Sequence, residues 1–236
     1  MSKNIRAILL AAGLGTRLRP ITLNKPKCLV EIHKKTLLEL WINKLEDINA
    51  QKILINTHYL ADQVKNFLDQ NFKKDKKIEV FHETELYGTA RTLIANRDFF
   101  SNSIGIMIHA DNFTNMKLFN LIEAHKNKPI NCLITMLTFT TNDPESCGIV
   151  EVDNNGVVIH FHEKIKNPPG NCANGAIYVF DNNFLDWLIE NHPNAKDFST
   201  EILPLLQGKI YTFHTTLPYI DIGTPKKLEE AKLIDN

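Results

Sequence analysis

The stretch AILLAAGLGTRLRPITLNKPKCLVEI, Ala7 to Ile32, decides how the rest of the chain is read. It opens on an apolar run, RAILLAA (Arg6–Ala12), that does not alternate and stops at Gly13. An unbroken apolar run of this length reads as a strand buried on both faces, because a half-solvated strand alternates apolar and polar residues. After it come a glycine turn, two arginines, and two lysines flanking Pro26. Neither a buried strand nor a simple turn needs so many cations, so they are expected to converge on a polyanion.

Outward from this stretch, strands and helices alternate. Thr36–Asp47 carries Leu37, Leu38, Trp41, Ile42 and Leu45 at helical spacing, and Thr36 with Glu39 fits a capping box. Lys52–Asn56 reads as a second buried strand, Ala61–Phe72 as a helix, Lys77–His82 as a third strand and Ile104–His109 as a fourth. This order implies an α/β sheet, largely parallel and covered by helices. The second half is richer in strands: Asn131–Thr138, Ile149–Asp153, Val157–His162, with Asp153–Gly156 as a hairpin turn, then Ala176–Phe180 and Lys209–Phe213. Helices are expected near Asn183–Asn191, Asp197–Leu206 and Pro225–Leu233. The trio Trp41, Phe67 and Phe72 is expected in the core. No internal repeat, low-complexity segment or linker interrupts the sequence. The expectation is one domain over 1–236, with a first half to about residue 115 and a second half from 116.

The 236 residues hold 27 basic and 27 acidic side chains, so a nucleic-acid sheath is not expected and any basic site must be local. Four cysteines occur without a C-x-x-C pair, which suggests neither a zinc ribbon nor a disulfide framework and fits a reducing compartment. The apolar run at Ala7–Ala12 is too short to span a membrane. A soluble, cytoplasmic protein without membrane or nucleic-acid partners is expected; a homo-oligomer is compatible with the sequence.

Ligands of open α/β sheets bind beyond the carboxyl ends of strands, where Gly13-Leu14-Gly15-Thr16-Arg17 lies. Glycines let backbone N–H groups face an anion, Arg17 can grip phosphate oxygens with two donors, and Lys27 adds a point charge. Taken alone a glycine turn is usually structural. The dinucleotide fingerprint fails because Leu18 stands where its third glycine belongs, and no P-loop Gly-Lys-Ser/Thr follows. Asp111 follows a strand and Asp221 precedes Gly223; each is either a hard-cation ligand or a cap or turn residue. His160 and His162 lie two apart on a strand and read as structural or solvent-facing.

The full span G-x-G-T-R-L-x-P-x-T-x-x-x-P-K resembles the sugar-1-phosphate nucleotidyltransferases, or nucleotide-sugar pyrophosphorylases, closest in look to the mannose-1-phosphate guanylyltransferase-like ones. Further matches follow in the family's order: Tyr87-Gly88-Thr89-Ala90, Ala110-Asp111-Asn112, Glu163-Lys164, Asn174-Gly175 and Asp221-Ile222-Gly223-Thr224. The resemblance implies a Rossmann-like mixed, mostly parallel sheet flanked by helices, with a small sugar-binding lobe of added strands. It implies transfer of a nucleotidyl group from an NTP to a sugar 1-phosphate with Mg²⁺. Leu10, Ala12, Gly13, Gly15, Thr16, Arg17, Lys27, Gly88 and Thr89 would bind the nucleotide. Asn112, Gly148, Glu163, Lys164 and Asn174 would bind the sugar phosphate, Asp111 and Asp221 the metal, and Arg17, Lys27 and Asp111 would carry catalysis. Within Glu83–Leu93, expected as the nucleobase wall, Gly88 would let a flat ring approach, and Thr89 and Ala90 would open a helix with N–H groups facing the ligand. The form resembling LGTA favours GTP, with UTP, CTP and dTTP as alternatives; Tyr87 replaces its leucine. Glu163–Lys164 reads otherwise as a surface ion pair, and Asn174 as a turn before a strand. A noncatalytic nucleotide sensor on the same fold is a second class, and an NAD-dependent oxidoreductase a third. Many relatives have glycine where this chain has Ala110, and alanine lacks glycine's freedom for positive φ. With no run of hexapeptide repeats, a single activity without an attached acyltransferase is expected.

Overall fold

The computed structural model describes residues 4–73 and 75–234. In chain order the strands and helices begin with β1 (Asn4–Leu10), β2 (Glu31–Ile32), β3 (Lys35–Thr36), α1 (Leu37–Asp47), β4 (Lys52–Thr57), α2 (Ala61–Asn71) and β5 (Ile78–His82). The middle of the chain forms α3 (Thr89–Ala95), β6 (Ser103–His109), β7 (Asn112–Thr114), α4 (Leu118–Lys126), β8 (Ile134–Thr140), β9 (Gly148–Val152) and β10 (Val158–Glu163). It ends with β11 (Cys172–Phe180), α5 (Asn182–Asn191), β12 (Ile210–Thr215), β13 (Tyr219–Asp221) and α6 (Pro225–Lys232). The architecture is Rossmann-like α/β: parallel strands with helices packed by their apolar faces, and added antiparallel strands.

The residues gather into two compact units, each built from separate stretches of chain. One holds Ile5–Leu86, Ile108–Met116 and the segment from Leu217 onward; the other holds Tyr87–Met107 and Lys117–Thr216.

In the first unit β1, β4 and β5 lie side by side in parallel, with Leu10 opposite Asn56 and Thr57 opposite His82. The middle of β1, Ala7 to Leu9, is wholly buried, as an unbroken apolar run requires. Helix α1 is capped as expected: the Thr36 hydroxyl accepts from the Glu39 N–H at 3.1 Å. Its apolar stripe, Leu37, Leu38, Trp41, Ile42 and Leu45, is buried. Leu37 joins Leu18, Val30, Ile32, Phe113, Ile222 and Leu228 in one cluster. Among the elements of this unit that have no counterpart in the sequence reading are the strands β7 and β13. They pair antiparallel, Asn112 opposite Asp221. Phe67 and Phe72, unlike Trp41, are only half-buried, with ring centroids 6.1 Å apart.

In the second unit β8 pairs in parallel with β12 and antiparallel with β11, while β9 pairs with β10 through the expected turn. Asp153 closes that turn, its Oδ1 accepting from the N–H groups of Asn155 and Val157 at 2.8 and 2.9 Å. Strand β11 begins at Cys172, four residues before the expected Ala176, so Asn174 lies inside a strand. The register shifts between Asn174 and Tyr178, and Ala176 takes φ 50° within that bulge. The segment expected as a short helix at Asp197–Leu206 is a π turn, Phe198–Ile202, followed by a 3₁₀ turn, Leu203–Leu206.

Candidate active site

Each part of the first unit's glycine turn has a distinct local cause. Gly15 stands at φ +63°, and a Cβ there would lie 2.9 Å from Thr22 Cγ2. Its carbonyl accepts from Thr22 Oγ1 at 2.6 Å and from the Leu18 N–H at 3.0 Å. The 3₁₀ turn Thr16–Leu18 then buries Leu18 completely and leaves Thr16 and Arg17 exposed. Leu18 is thus a core anchor at the position where a dinucleotide fingerprint would have glycine. Gly13 is exposed, with open space where a Cβ would stand.

Lys27 opens another 3₁₀ turn, Lys27–Leu29, directly after the extended Pro26. The burial of Cys28 and Leu29 fixes this turn, and Lys27 itself is only 10% exposed. Its Nζ donates to Asp111 Oδ2 at 2.5 Å and to Asp221 Oδ1 at 3.3 Å. Arg17 Nη2 reaches the other oxygen of Asp221 at 3.5 Å. A Cβ on Gly223 would lie 3.1 Å from that guanidinium, so the glycine makes room for it.

The two aspartates meet through the β7–β13 pairing. Asp111 immediately precedes β7 and Asp221 ends β13, and the Ile222 N–H donates to the Asp111 carbonyl at 3.0 Å. Trp41 Nε1 donates to the Asn112 carbonyl at 2.9 Å, tying β7 to α1. Ala110 is buried and does not take positive φ, so alanine serves there without strain. Burial works to lower the Lys27 ammonium pKa, but the charges of Asp111 and then Asp221 outweigh it and hold the pKa above its usual value. Burial likewise pushes the Asp111 carboxyl up, and Lys27, then His109, overcome this and hold it below the usual range. Both partners are thereby held in their charged forms.

Asn56 and Glu83 form a buried polar pair in this unit, and Asn56 was given no site role from the sequence. Asn56 accepts from the Ala11 N–H and donates to Glu83, and both side chains are buried. Glu83 was expected in a nucleobase wall, but its carboxylate is turned inward. The one signal was a polar Asn56 closing the apolar run KILIN.

The other expected site residues, Gly88, Thr89, Gly148, Glu163, Lys164 and Asn174, belong to the second unit. Gly88 stands at φ +88°, and a Cβ there would lie 2.5 Å from the Lys196 carbonyl oxygen. Close approach of the Lys196 backbone is by itself enough to require a glycine there. The same carbonyl accepts from the Ala90 N–H at 2.9 Å, and Thr89 Oγ1 accepts from the Phe198 N–H at 2.8 Å. The Ala90 N–H expected to face a ligand is therefore already engaged. A Cβ on Gly148 would meet Glu163 Oε2 and Phe161 Cζ, both at 2.8 Å, so the glycine lets these two side chains pack against the strand. Lys164 Nζ lies 3.2 Å from Glu163 Oε1 and is largely exposed, the surface-pair geometry weighed from sequence. Asn174 is held at both ends, accepting from the Ala176 N–H at 2.9 Å and donating to the buried Tyr178 hydroxyl at 2.7 Å. His162 Nε2 lies 2.8 Å from Glu151 Oε1, and His160 is exposed, in keeping with structural and solvent-facing roles.

The nucleotidyl transferase family model matches residues 6–236. The chain belongs to the nucleotidyl transferase family. Among its relatives within and around that family, the mannose-1-phosphate guanylyltransferase catalytic subunit beta of Drosophila melanogaster is 31% identical over 226 residues, 94% of this chain and 60% of that one. The bifunctional protein GlmU of Methanococcus aeolicus is 30% identical over 95% of this chain and 53% of its own length. The chain thus spans about 60% of the length of the first of these and less of the second. Among solved structures, a Bacillus anthracis protein in complex with a sucrose has a TM-score of 0.85 at 23% identity, covering 98% of this chain and 97% of that one. HddC from Yersinia pseudotuberculosis has a TM-score of 0.78 at 24% identity, covering 96% of this chain and 97% of that one. These two likenesses show the fold. Among the described residues, no helix is long and apolar enough to cross a membrane.

The donor set of this nucleotidyl transferase chain fits a hard divalent cation. Asp111 and Asp221 each reach one ammonium nitrogen, and both are open to solvent, 33% and 50% exposed. Among the described residues no third His, Cys, Asp or Glu joins them in a metal-binding cluster. Two carboxylates with room for phosphate and water are what Mg²⁺ prefers over an all-protein cage.

Proposed function

We propose that this chain transfers a nucleotidyl group from an NTP, GTP foremost, to a sugar 1-phosphate and releases pyrophosphate, with Mg²⁺ as cofactor. The observation that carries the reading is the convergence of Lys27 on Asp111 and Asp221, with Arg17 on the same Asp221, beside the glycine turn. A cation-lined turn next to two solvent-open carboxylates suits a reaction that brings two phosphorylated anions together. The guanylyltransferase names of its relatives support GTP among the nucleotides. The same chemistry with UTP, CTP or dTTP is the alternative.

In the reaction an oxygen of the sugar phosphate attacks the α-phosphorus and the bond to the β-phosphate oxygen breaks. Pyrophosphate leaves with that electron pair. The nucleophile is already an anion, so the protein needs no general base; it has to align two anions and offset their charge. Mg²⁺, when bound by Asp111 and Asp221, supplies charge neutralisation to both phosphates. In this reading Gly13, Gly15 and Thr16 face the nucleotide phosphates, with Leu10 and Ala12 placing them. Arg17 balances charge on the leaving pyrophosphate and Lys27 on the α-phosphate. Gly88 and Thr89 contribute to nucleotide binding. Lys164 pairs with the acceptor phosphate, while Asn112, Gly148, Glu163 and Asn174 serve the sugar. All four cysteines are free thiols, in keeping with a reducing, cytoplasmic setting.

Pyrophosphate release, measured for GTP, UTP, CTP and dTTP against a panel of sugar 1-phosphates beginning with mannose 1-phosphate, tests this. The expected result is release dependent on both substrates and on Mg²⁺, fastest with GTP. Nucleotide binding without release under any pairing would replace the enzyme with a nucleotide sensor.

A further inference from the structure

Strands β1 and β4 run in parallel register as far as Leu10 and Asn56. At the next residue a side chain takes over from the backbone ladder. The Ala11 N–H donates to Asn56 Oδ1 at 2.6 Å, and Asn56 Nδ2 donates to Glu83 Oε1 at 2.8 Å. Asn56 is 3% exposed and Glu83 1%. Glu83 is itself fixed by its backbone. Its N–H donates to the Thr57 carbonyl at 2.8 Å, and its carbonyl lies 2.9 Å from His58 Nδ1.

A primary amide has two unlike ends of nearly equal shape, and hydrogen-bond partners alone decide which end faces which way. A carboxylate oxygen accepts from an amide NH₂ group and has nothing to offer an amide oxygen. Glu83 therefore turns the Asn56 NH₂ towards itself and presents Oδ1 to Ala11. Ala11 lies two residues before Gly13, so the direction of its N–H sets the direction in which the chain leaves the sheet for the turn.

We propose that Asn56 is a positioning residue for the nucleotide-facing turn, and that buried Glu83 acts through Asn56 by setting the orientation of its amide. The proposal rests on the nucleotidyl-transfer reading and adds to it two residues that touch no substrate. Removing one member of a buried hydrogen-bonded pair strands the other, whereas replacing both with apolar groups of similar shape is nearly neutral for folding. The double variant N56L/E83L is therefore expected to keep its fold while the Ala11 N–H loses its acceptor.

The test combines amide exchange at Ala11, followed by NMR in nucleotide-free protein, with calorimetric binding of GTP in Mg²⁺ and with substrate KM values. E83L and N56L/E83L should each speed Ala11 exchange and weaken GTP binding by about ten-fold, the equivalent of one buried hydrogen bond. Exchange at Ile8 and Leu54 should stay slow, and the KM for the sugar 1-phosphate should stay unchanged. E83Q, whose amide oxygen can still accept from Asn56, should restore both readouts relative to E83L. Wild-type GTP affinity in N56L/E83L, or unchanged Ala11 exchange in it, overturns the proposal. A wild-type protein that binds neither GTP nor any other NTP overturns the nucleotidyl-transfer reading itself. The two failures are distinguishable because exchange at Ala11 is read without nucleotide.

Discussion

Lys27 Nζ lies 2.5 Å from Asp111 Oδ2, although 84 positions separate the two residues in the chain. The ammonium is nearly covered, 10% exposed, while the carboxylate is 33% exposed. A buried cation with one close anionic partner stays charged, and its partner stays ionised. The cation is thus held beside a carboxylate that solvent, or a hydrated ion, can still reach.

Removing the charge while keeping the apolar stem isolates the role of this ammonium. Lys27→Met is expected to lower kcat for pyrophosphate release by about two to three orders of magnitude, the usual cost of losing one preorganised charge donor. Far-UV circular dichroism should be unchanged, because the stem still fills its place. Turnover equal to wild type would remove Lys27 from catalysis.

The same pair predicts a pH dependence of stability. Burial raises the Asp111 carboxyl pKa and the nearby Lys27 more than reverses this, so the folded value lies below 3.8. Its contribution is present above pH 3.8 and is lost as the pH falls through the lower, folded value. Burial lowers the Lys27 pKa and the aspartates more than reverse it, so its contribution is complete below pH 10.5 and is lost as the pH rises beyond that. The gap in Tm between wild type and Lys27→Met should therefore be flat at intermediate pH and close at both extremes. A gap that persists unchanged below pH 3.8 contradicts this account of Asp111.

The two glycines of the turn should respond differently to alanine. Gly15→Ala forces a side chain into φ +63° and against Thr22, and is expected to destabilise the fold by about 1–2 kcal/mol. That corresponds to a fall in Tm of roughly 2–8 °C for a chain of this size. Gly13→Ala meets open space, so its Tm should match wild type while its KM for the nucleotide rises. Thermal melts and KM values of the two variants check both, and equal melting temperatures would refute the contrast.

Cys28 follows Lys27 and is 2% exposed. Burial, with a smaller push from Asp111 and partly offset by a backbone hydrogen bond, moves its thiol up to about 12. At pH 8 it should resist iodoacetamide in the native protein and react once the chain is unfolded in guanidinium, since the thiolate is the nucleophile. Peptide mass mapping reads this site by site. Native labelling of Cys28 at the unfolded rate would mean that its turn opens readily.

Much of the fold was legible because its signals are local. The apolar run at Ala7–Leu9, the Thr36 cap and the Asp153 turn each depend on residues close together in sequence, and each was found where expected. The three-residue strands β7 and β13 were not legible, because so short a segment carries no readable period. Asn174 was assigned a turn as its structural alternative but lies in β11, whose bulge at Ala176 interrupts the alternation that marks a strand. The sequence likewise contained every functional group of the candidate site: Arg17, Lys27, Asp111 and Asp221 carry their charge and donor chemistry wherever they lie. The tertiary structure alone decided that Lys27 meets an aspartate 194 positions away, and that a buried Glu83 accepts from Asn56. Residue type is a property of the position, whereas proximity depends on strand register and chain return, which hydrogen bonds between distant segments set.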